Sequence, residues 1–202
     1  MKDNVELVNK QLKDEFEKNR NYFNLERYVM SELLSPIQDY ENAIKIIKSN
    51  MNLISDLKLI YIGAYLSSEC FQRDNEFLKM LNGNITNLPD NDKSIIYYLN
   101  AINSEYKSPE YIKYLKLSVN YAKDMKFVNC YKYLANVSPD KSKELYKKAL
   151  ENIVIVYTIQ ELKNASIDFY LSAQRYIEEY ILGTKITDTI FNIIKNYNKN
   201  TK

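Results

Sequence analysis

The chain has no histidine and no tryptophan, and only three glycines, four prolines and two cysteines in 202 residues. The missing histidine removes the side chain that most often serves as a general base near neutral pH, every histidine-containing triad and the common zinc sites. Gly63, Gly83 and Gly183 stand too far apart to form a phosphate-cradling loop or a dinucleotide fingerprint. So few glycines and prolines also cannot supply the turns that an all-β protein needs about every ten residues. Cys70 and Cys130 make neither a CxxC pair nor a disulfide pattern. That fits a reducing compartment, with both thiols read as buried apolar side chains. The longest apolar runs, IVIVY from Ile153 and IIYYL from Ile95, fall far below the roughly 18 residues of a membrane span. The opening MKDNVELVNKQ has no apolar leader core. A cytoplasmic location without membrane attachment is the expectation.

What is present is a 46% hydrophobic chain, enough for a core of ordinary size and for one domain or one continuous array. The net charge of +2 is too small to imply a nucleic-acid or membrane partner by bulk electrostatics. Lys, Asn, Ile and Tyr are all heavily used, as AT-rich coding would give, so the 19 tyrosines are no functional argument by number alone.

Ser-Pro occurs three times, at Ser35, Ser108 and Ser138, each time before a run with helical periodicity. Proline is tolerated at the first helical position and a preceding serine can cap a free amide, so each dipeptide reads as a helix start. Gln38 completes a capping box with Ser35, and Glu110 and Asp140 place a carboxylate in the first turn of the other two. Asp90 and Asp92 read as caps of a helix starting at about Lys93. Behind the starts apolar residues recur at helical spacing, as in Ile37, Tyr40, Ile44 and Ile47. Before each start lies another periodic segment, so helices come in pairs. Ala43, Phe77 and Tyr111 occupy one register at a spacing of 34 residues, with Ser142 following and Tyr176 continuing the series.

A helix pair repeating at this interval resembles the tetratricopeptide repeat, and KSKELYKKALEN is similar to that family's second helix, with Ser142, Tyr146 and Ala149 at its small, aromatic and small positions. Phe127, Cys130, Tyr131 and Leu134 match the first helix; Tyr131 and Asn100 stand where a small residue is usual, and Phe77 and Tyr111 replace alanine. The resemblance implies an all-α fold of antiparallel helix pairs stacked as a superhelical array with capping helices. On this reading residues 1–202 form one domain: a capping helix in 1–23, about four degenerate pairs in 24–150, and C-terminal helices with a cap in 151–202. Ile167 to Leu182 reads as one helix closed by Gly183, with a last helix from Asp188 to Asn196.

Carboxylate candidates for acid–base work are Asp39 with Glu41, Asp90 with Asp92, Glu178 with Glu179, and Asp168, but adjacent helical residues do not converge. No catalytic residue, metal ligand or cofactor is assigned. Between Glu105 and Leu150 ten lysines oppose five acids, a local +5 interleaved with seven tyrosines. That mixture suits single-stranded nucleic acid in principle. Lys113, Lys116, Lys143 and Lys147 nevertheless fall opposite the apolar stripes, so a solvated outer face is the expectation and nucleic acid is not.

In the resembled family the first helices line a concave face. Carried over residue by residue, the partner-binding positions are Tyr61, Tyr65 and Ser68, then Tyr97, Ala101 and Ser104, then Val128, Lys132 and Asn136. Packing between neighbouring repeats is the alternative role for several of them. The function implied is a non-enzymatic module that binds a protein or peptide. The segment from Asp92 to Leu134 is similar to the repeat half of bacterial and phage regulators that sense short peptides, which implies a sensor or adaptor without its own DNA reader. An inhibitor or immunity protein covering a toxin or enzyme is the alternative, and an enzyme the residual one.

Overall fold

A computed structural model describes residues 2–34, 39–72, 74–153 and 164–184. Among these residues every regular element is helical, which gives the all-α class expected from the sequence. The elements are α1 (Lys2–Lys18), α2 (Tyr22–Leu34), α3 (Tyr40–Ser49), α4 (Lys58–Glu69), α5 (Glu76–Asn84), α6 (Asp90–Ile102), α7 (Pro109–Tyr121), α8 (Val128–Val137), α9 (Ser142–Glu151), α10 (Ile167–Tyr170) and α11 (Ala173–Tyr176). Short 3₁₀ turns sit at Met51–Leu53, Ile85–Asn87 and Pro139–Lys141, and a π turn, Ile177–Ile181, follows α11. The capping box at Ser35, with Pro36 and Gln38, and the helix from Asp188 to Asn196 lie outside the described residues.

The helix starts follow local chemistry. Ser108 is extended at φ −61°, ψ 159°, and its hydroxyl accepts the Tyr111 amide at 3.0 Å while Pro109 opens α7. Asp39 does the same for α3, accepting from the Asn42 amide at 2.9 Å. Ser138 differs from the expectation: at φ −129°, ψ 75° its side chain caps nothing, Pro139 opens a 3₁₀ turn, and α9 begins only at Ser142. The start of α6 is also earlier than expected. Pro89 precedes it, and Asp90 and Asp92 lie inside its first turn, where the helix dipole favours them.

The chain divides into two compact units. Described residues within Met1–Phe77 and Asn164–Ile177 form the first, and those within Leu78–Lys163 and Glu178–Lys202 the second.

In the first unit α1 packs on α2, α2 on α3 and α3 on α4, while α10 returns to α2 and α11 to both α2 and α4. Leu25, Val29, Ile47, Leu59, Ile62 and Leu66 are fully enclosed. Ala43 and Phe77, two of the three register residues, are buried on α3 and α5. Phe77 shows why Gly63 is glycine: a Cβ there would lie 2.8 Å from the Phe77 ring. Polar contacts tie the C-terminal pieces back to α2. The Ala173 amide donates to Glu26 at 2.9 Å, and Arg27 bridges Glu15 at 3.0 Å and Asp168 at 3.3 Å.

In the second unit α6 packs on α7, α7 on α8 and α8 on α9. Buried serines join α6 to α7, with Ser94 Oγ donating to the Ser118 carbonyl at 2.9 Å. Tyr111, the third register residue, is buried on α7. Asn100 is held by a reciprocal amide pair with Asn82 at 2.8 and 3.0 Å and by the Ile96 carbonyl. Asn129, in the first turn of α8, donates to the carbonyls of Tyr180 and Ile181 at 3.0 Å and so caps the π turn. Gly183 follows at φ +72°, the left-handed stop expected there, and a Cβ on it would meet Asn129 Oδ1 at 2.5 Å.

The single helix expected from Ile167 to Leu182 is instead interrupted. Ser172 lies between α10 and α11 at φ −86°, ψ 124°, and its hydroxyl accepts from the Arg175 amide at 3.4 Å. A serine that satisfies a new helix start competes with continuation of the old helix.

Candidate binding surface

The nine expected positions divide by burial. Tyr61, Ala101 and Val128 are 3%, 0% and 0% exposed. These three belong to the core, and a partner cannot reach them without rearrangement. The remaining six, Tyr65, Ser68, Tyr97, Ser104, Lys132 and Asn136, are at least partly accessible.

On α4, in the first unit, Tyr65 packs edge-to-face against Tyr176 with centroids 6.4 Å apart. Its hydroxyl donates to Glu69, whose own carboxyl is raised by burial and partly restored by that bond. Ser68 returns its hydroxyl to the Ala64 carbonyl at 3.0 Å. The α4 face therefore offers one aromatic edge with an oriented hydroxyl.

In the second unit Tyr97 does not stand alone. It stacks on Tyr114 at 6.3 Å and on Tyr121 at 5.5 Å, both from α7, with interplanar angles of 20° and 24°. The Lys93 and Lys113 ammonium groups sit over the outer rings at 5.6 and 5.7 Å. Burial raises the Tyr97 hydroxyl, and the Tyr121 and Tyr114 hydroxyls add to it. Sequence periodicity pointed to Tyr97 but not to its neighbours, because Tyr114 and Tyr121 are on the second helix of the pair. Their separation of seven residues, two helical turns, was the available signal.

Lys132 and Asn136 lie one turn apart on α8. Burial lowers the Lys132 ammonium to about 8. Its Nζ stands 4.7 Å from the Tyr133 ring centroid, and no carboxylate pairs with it among the described residues. Asn136 is exposed and accepts the Tyr146 hydroxyl on its carbonyl. Ser104 uses its hydroxyl on the Asn100 carbonyl at 2.8 Å.

Of the two thiols expected to be buried, Cys130 is and Cys70 is only half-buried. Cys130 is fully buried, its thiol donating to the Phe127 carbonyl at 3.2 Å, and burial raises it; Cys70 is also raised, by burial first and then by Glu41, Glu69 and Asp39. Among the described residues no three His, Cys, Asp or Glu side chains gather as a metal site would require. No described helix is long and apolar enough to cross a membrane. Lys113, Lys116, Lys143 and Lys147 are exposed. On α7 the first two border a shallow depression of about 610 Å³ over Ile112 and Leu117. Among the described residues the most exposed large apolar side chain is Phe71, directly after α4, at 91%. Comparison with protein-family models, curated protein sequences and solved structures gives no match.

Proposed function

We propose that this chain is a non-enzymatic protein- or peptide-binding module of tetratricopeptide-like helix pairs. It engages its partner through the first helices of the pairs and serves as a regulatory sensor or adaptor. Within the first unit the contact residues are Tyr65 and Ser68; within the second they are Tyr97, Ser104, Lys132 and Asn136. The observation that carries this reading is Lys132. A desolvated ammonium without a counter-ion costs folding energy. A partner carboxylate or carbonyl on the same face, with the Asn136 amide beside it, offsets that cost on binding. The tyrosines add large contact area at low entropic cost.

A second reading, an inhibitor or immunity protein that covers a folded toxin or enzyme, is favoured by Phe71. A nearly fully exposed phenylalanine suits insertion into a preformed pocket of a folded partner better than display of a peptide groove.

Capture from the native host with the tagged full chain, mass spectrometry, and titration of the recovered partner test the reading. Tyr65→Ala, Tyr97→Ala and Lys132→Met should each weaken binding, by about 2 kcal/mol at an anchor position, while Lys147→Ala leaves it unchanged. Wild-type affinity in all three variants overturns the first-helix site. A defect confined to Phe71→Ala establishes the second reading.

A further inference from the structure

Within the first unit a cleft of about 440 Å³ opens between α1 and α3, with Tyr28 of α2 at its base. That volume is typical of small-ligand sites, which run from roughly 300 to 1,000 Å³. It shares no residue with the first-helix surface described above. Its floor is apolar: Phe16 and Tyr28 are buried and stacked at 6.0 Å, and Ile46 is half-buried beside them.

Its rim is cationic. Arg20 is exposed yet held in place on two sides. Its Nη2 donates to Asn50 Oδ1 at 2.5 Å, and its guanidinium carbon lies 5.6 Å from the Phe16 centroid. Asn50 is only 5% exposed and is itself fixed by donating to the Ile46 carbonyl at 2.8 Å. A buried asparagine thus orients a surface arginine 30 residues away. No carboxylate of the described residues pairs with Arg20 or with Lys45 on the opposite wall; Lys13 alone is paired, weakly, with Glu17 at 3.9 Å.

We infer that this cleft binds an acidic segment of a partner protein, with one carboxylate on Arg20 and Lys45 and a neighbouring apolar side chain on the Phe16–Tyr28–Ile46 floor. The planar guanidinium fork matches a carboxylate in bidentate geometry, and its preorganisation reduces the entropy lost on binding. Glu17 within the cleft opposes a phosphate dianion more strongly than a singly charged carboxylate. The apolar floor selects a side chain next to the acid, which inorganic anions lack.

The test is selection of a random heptapeptide phage library on the full chain, followed by titration of the recovered peptides, synthesised with blocked termini. Recovered sequences should carry Asp or Glu beside an apolar residue and lose affinity at least tenfold on Arg20→Ala and on Lys45→Glu. Because Arg20→Ala also removes contacts to Asn50 and Phe16, Lys45→Glu is the decisive variant: its side chain is exposed, and its melting temperature should match wild type. Three results overturn the inference: selection without acidic enrichment, acidic peptides whose affinity is unchanged by Lys45→Glu, and competition by inorganic phosphate at equal strength. Variants at Tyr65, Tyr97 and Lys132 should leave these peptides bound, which separates failure of the cleft from failure of the first-helix surface.

Discussion

The surroundings of Phe77 in the first unit and of Tyr111 in the second stand 34 residues apart and solve the same packing problem in opposite ways. Both rings are buried. Opposite Phe77, α4 has Gly63, so the ring sits directly against backbone. Thirty-four residues on, Gly63 is replaced by Tyr97, whose ring stacks between Tyr114 and Tyr121. There buried serines, Ser94 and Ser118, join α6 to α7 instead. Both positions are thus buried at the 34-residue spacing, while which helix contributes the bulk differs between the two.

The largest test of that comparison is at Phe77. Phe77→Ala should lose about 3 to 5 kcal/mol, as for other buried aromatic truncations. Gly63→Ala should cost about 1 to 3 kcal/mol by overpacking against the same ring. The double change Gly63→Ala with Phe77→Leu should cost less than the sum of its parts, because the smaller side chain makes room for the new methyl. Additive losses in denaturant titrations would show that Gly63 and Phe77 do not share a contact.

The pair α8–α9 extends the comparison, because its first helix carries a desolvated cation rather than a ring or a glycine. With Lys132 lowered to about 8 from an ordinary 10.5, the unfolded chain binds more protons than the folded one between those values. Stability from this group therefore rises as pH increases through that window and is lowest below it. Lys132→Met should stabilise the chain at pH 7 by on the order of 1 to 2 kcal/mol after allowance for partial solvent access. The advantage should shrink as pH rises toward 9.5. Melting curves of both proteins across pH 6 to 9.5 check this by difference, which cancels the tyrosines they share. A pH-independent gap would assign the effect to packing.

A smaller effect separates the helix starts of α7 and α9. Ser108→Ala should cost about 0.5 to 2 kcal/mol, the usual value of a side-chain cap, since its hydroxyl accepts the Tyr111 amide. Ser138→Ala should cost nothing measurable, since its hydroxyl caps no amide. Equal losses in thermal unfolding would show that the two dipeptides act alike.

These contrasts mark how far sequence reaches. Composition and period place the all-α class, the cap at Ser108, the left-handed stop at Gly183 and the burial of Ala43, Phe77 and Tyr111, because each depends on local geometry or on a helix's own apolar face. The candidate surface was legible only as a face. Periodicity selects the side of a helix but not how deep each residue lies, so Tyr61, Ala101 and Val128 fell on the expected side and are nonetheless enclosed. Partners distant in sequence left no local sign. Asn100 needs Asn82 from α5, Arg20 needs Asn50 from the end of α3, and Asn129 needs carbonyls some 50 residues on.

The smallest effect lies in the loops after α4 and before α7. Among the described residues each contains one non-glycine residue in the left-handed region, Phe71 at φ +53° and Lys107 at φ +66°. For an L-residue that conformation costs about 1 to 2 kcal/mol, which glycine avoids at an entropic loss of roughly 0.5 to 1 kcal/mol. Both side chains are exposed, so truncation removes little packing. Phe71→Gly and Lys107→Gly should each stabilise the chain by about 0.5 to 1 kcal/mol, raising Tm by roughly 1 to 4 °C. A gain at Lys107 without one at Phe71 would reveal a contact made by the phenylalanine ring. If instead Phe71→Gly melts higher and binds its partner more weakly, the backbone strain at this position serves recognition, because the side chain then contributes to the complex and not to the fold.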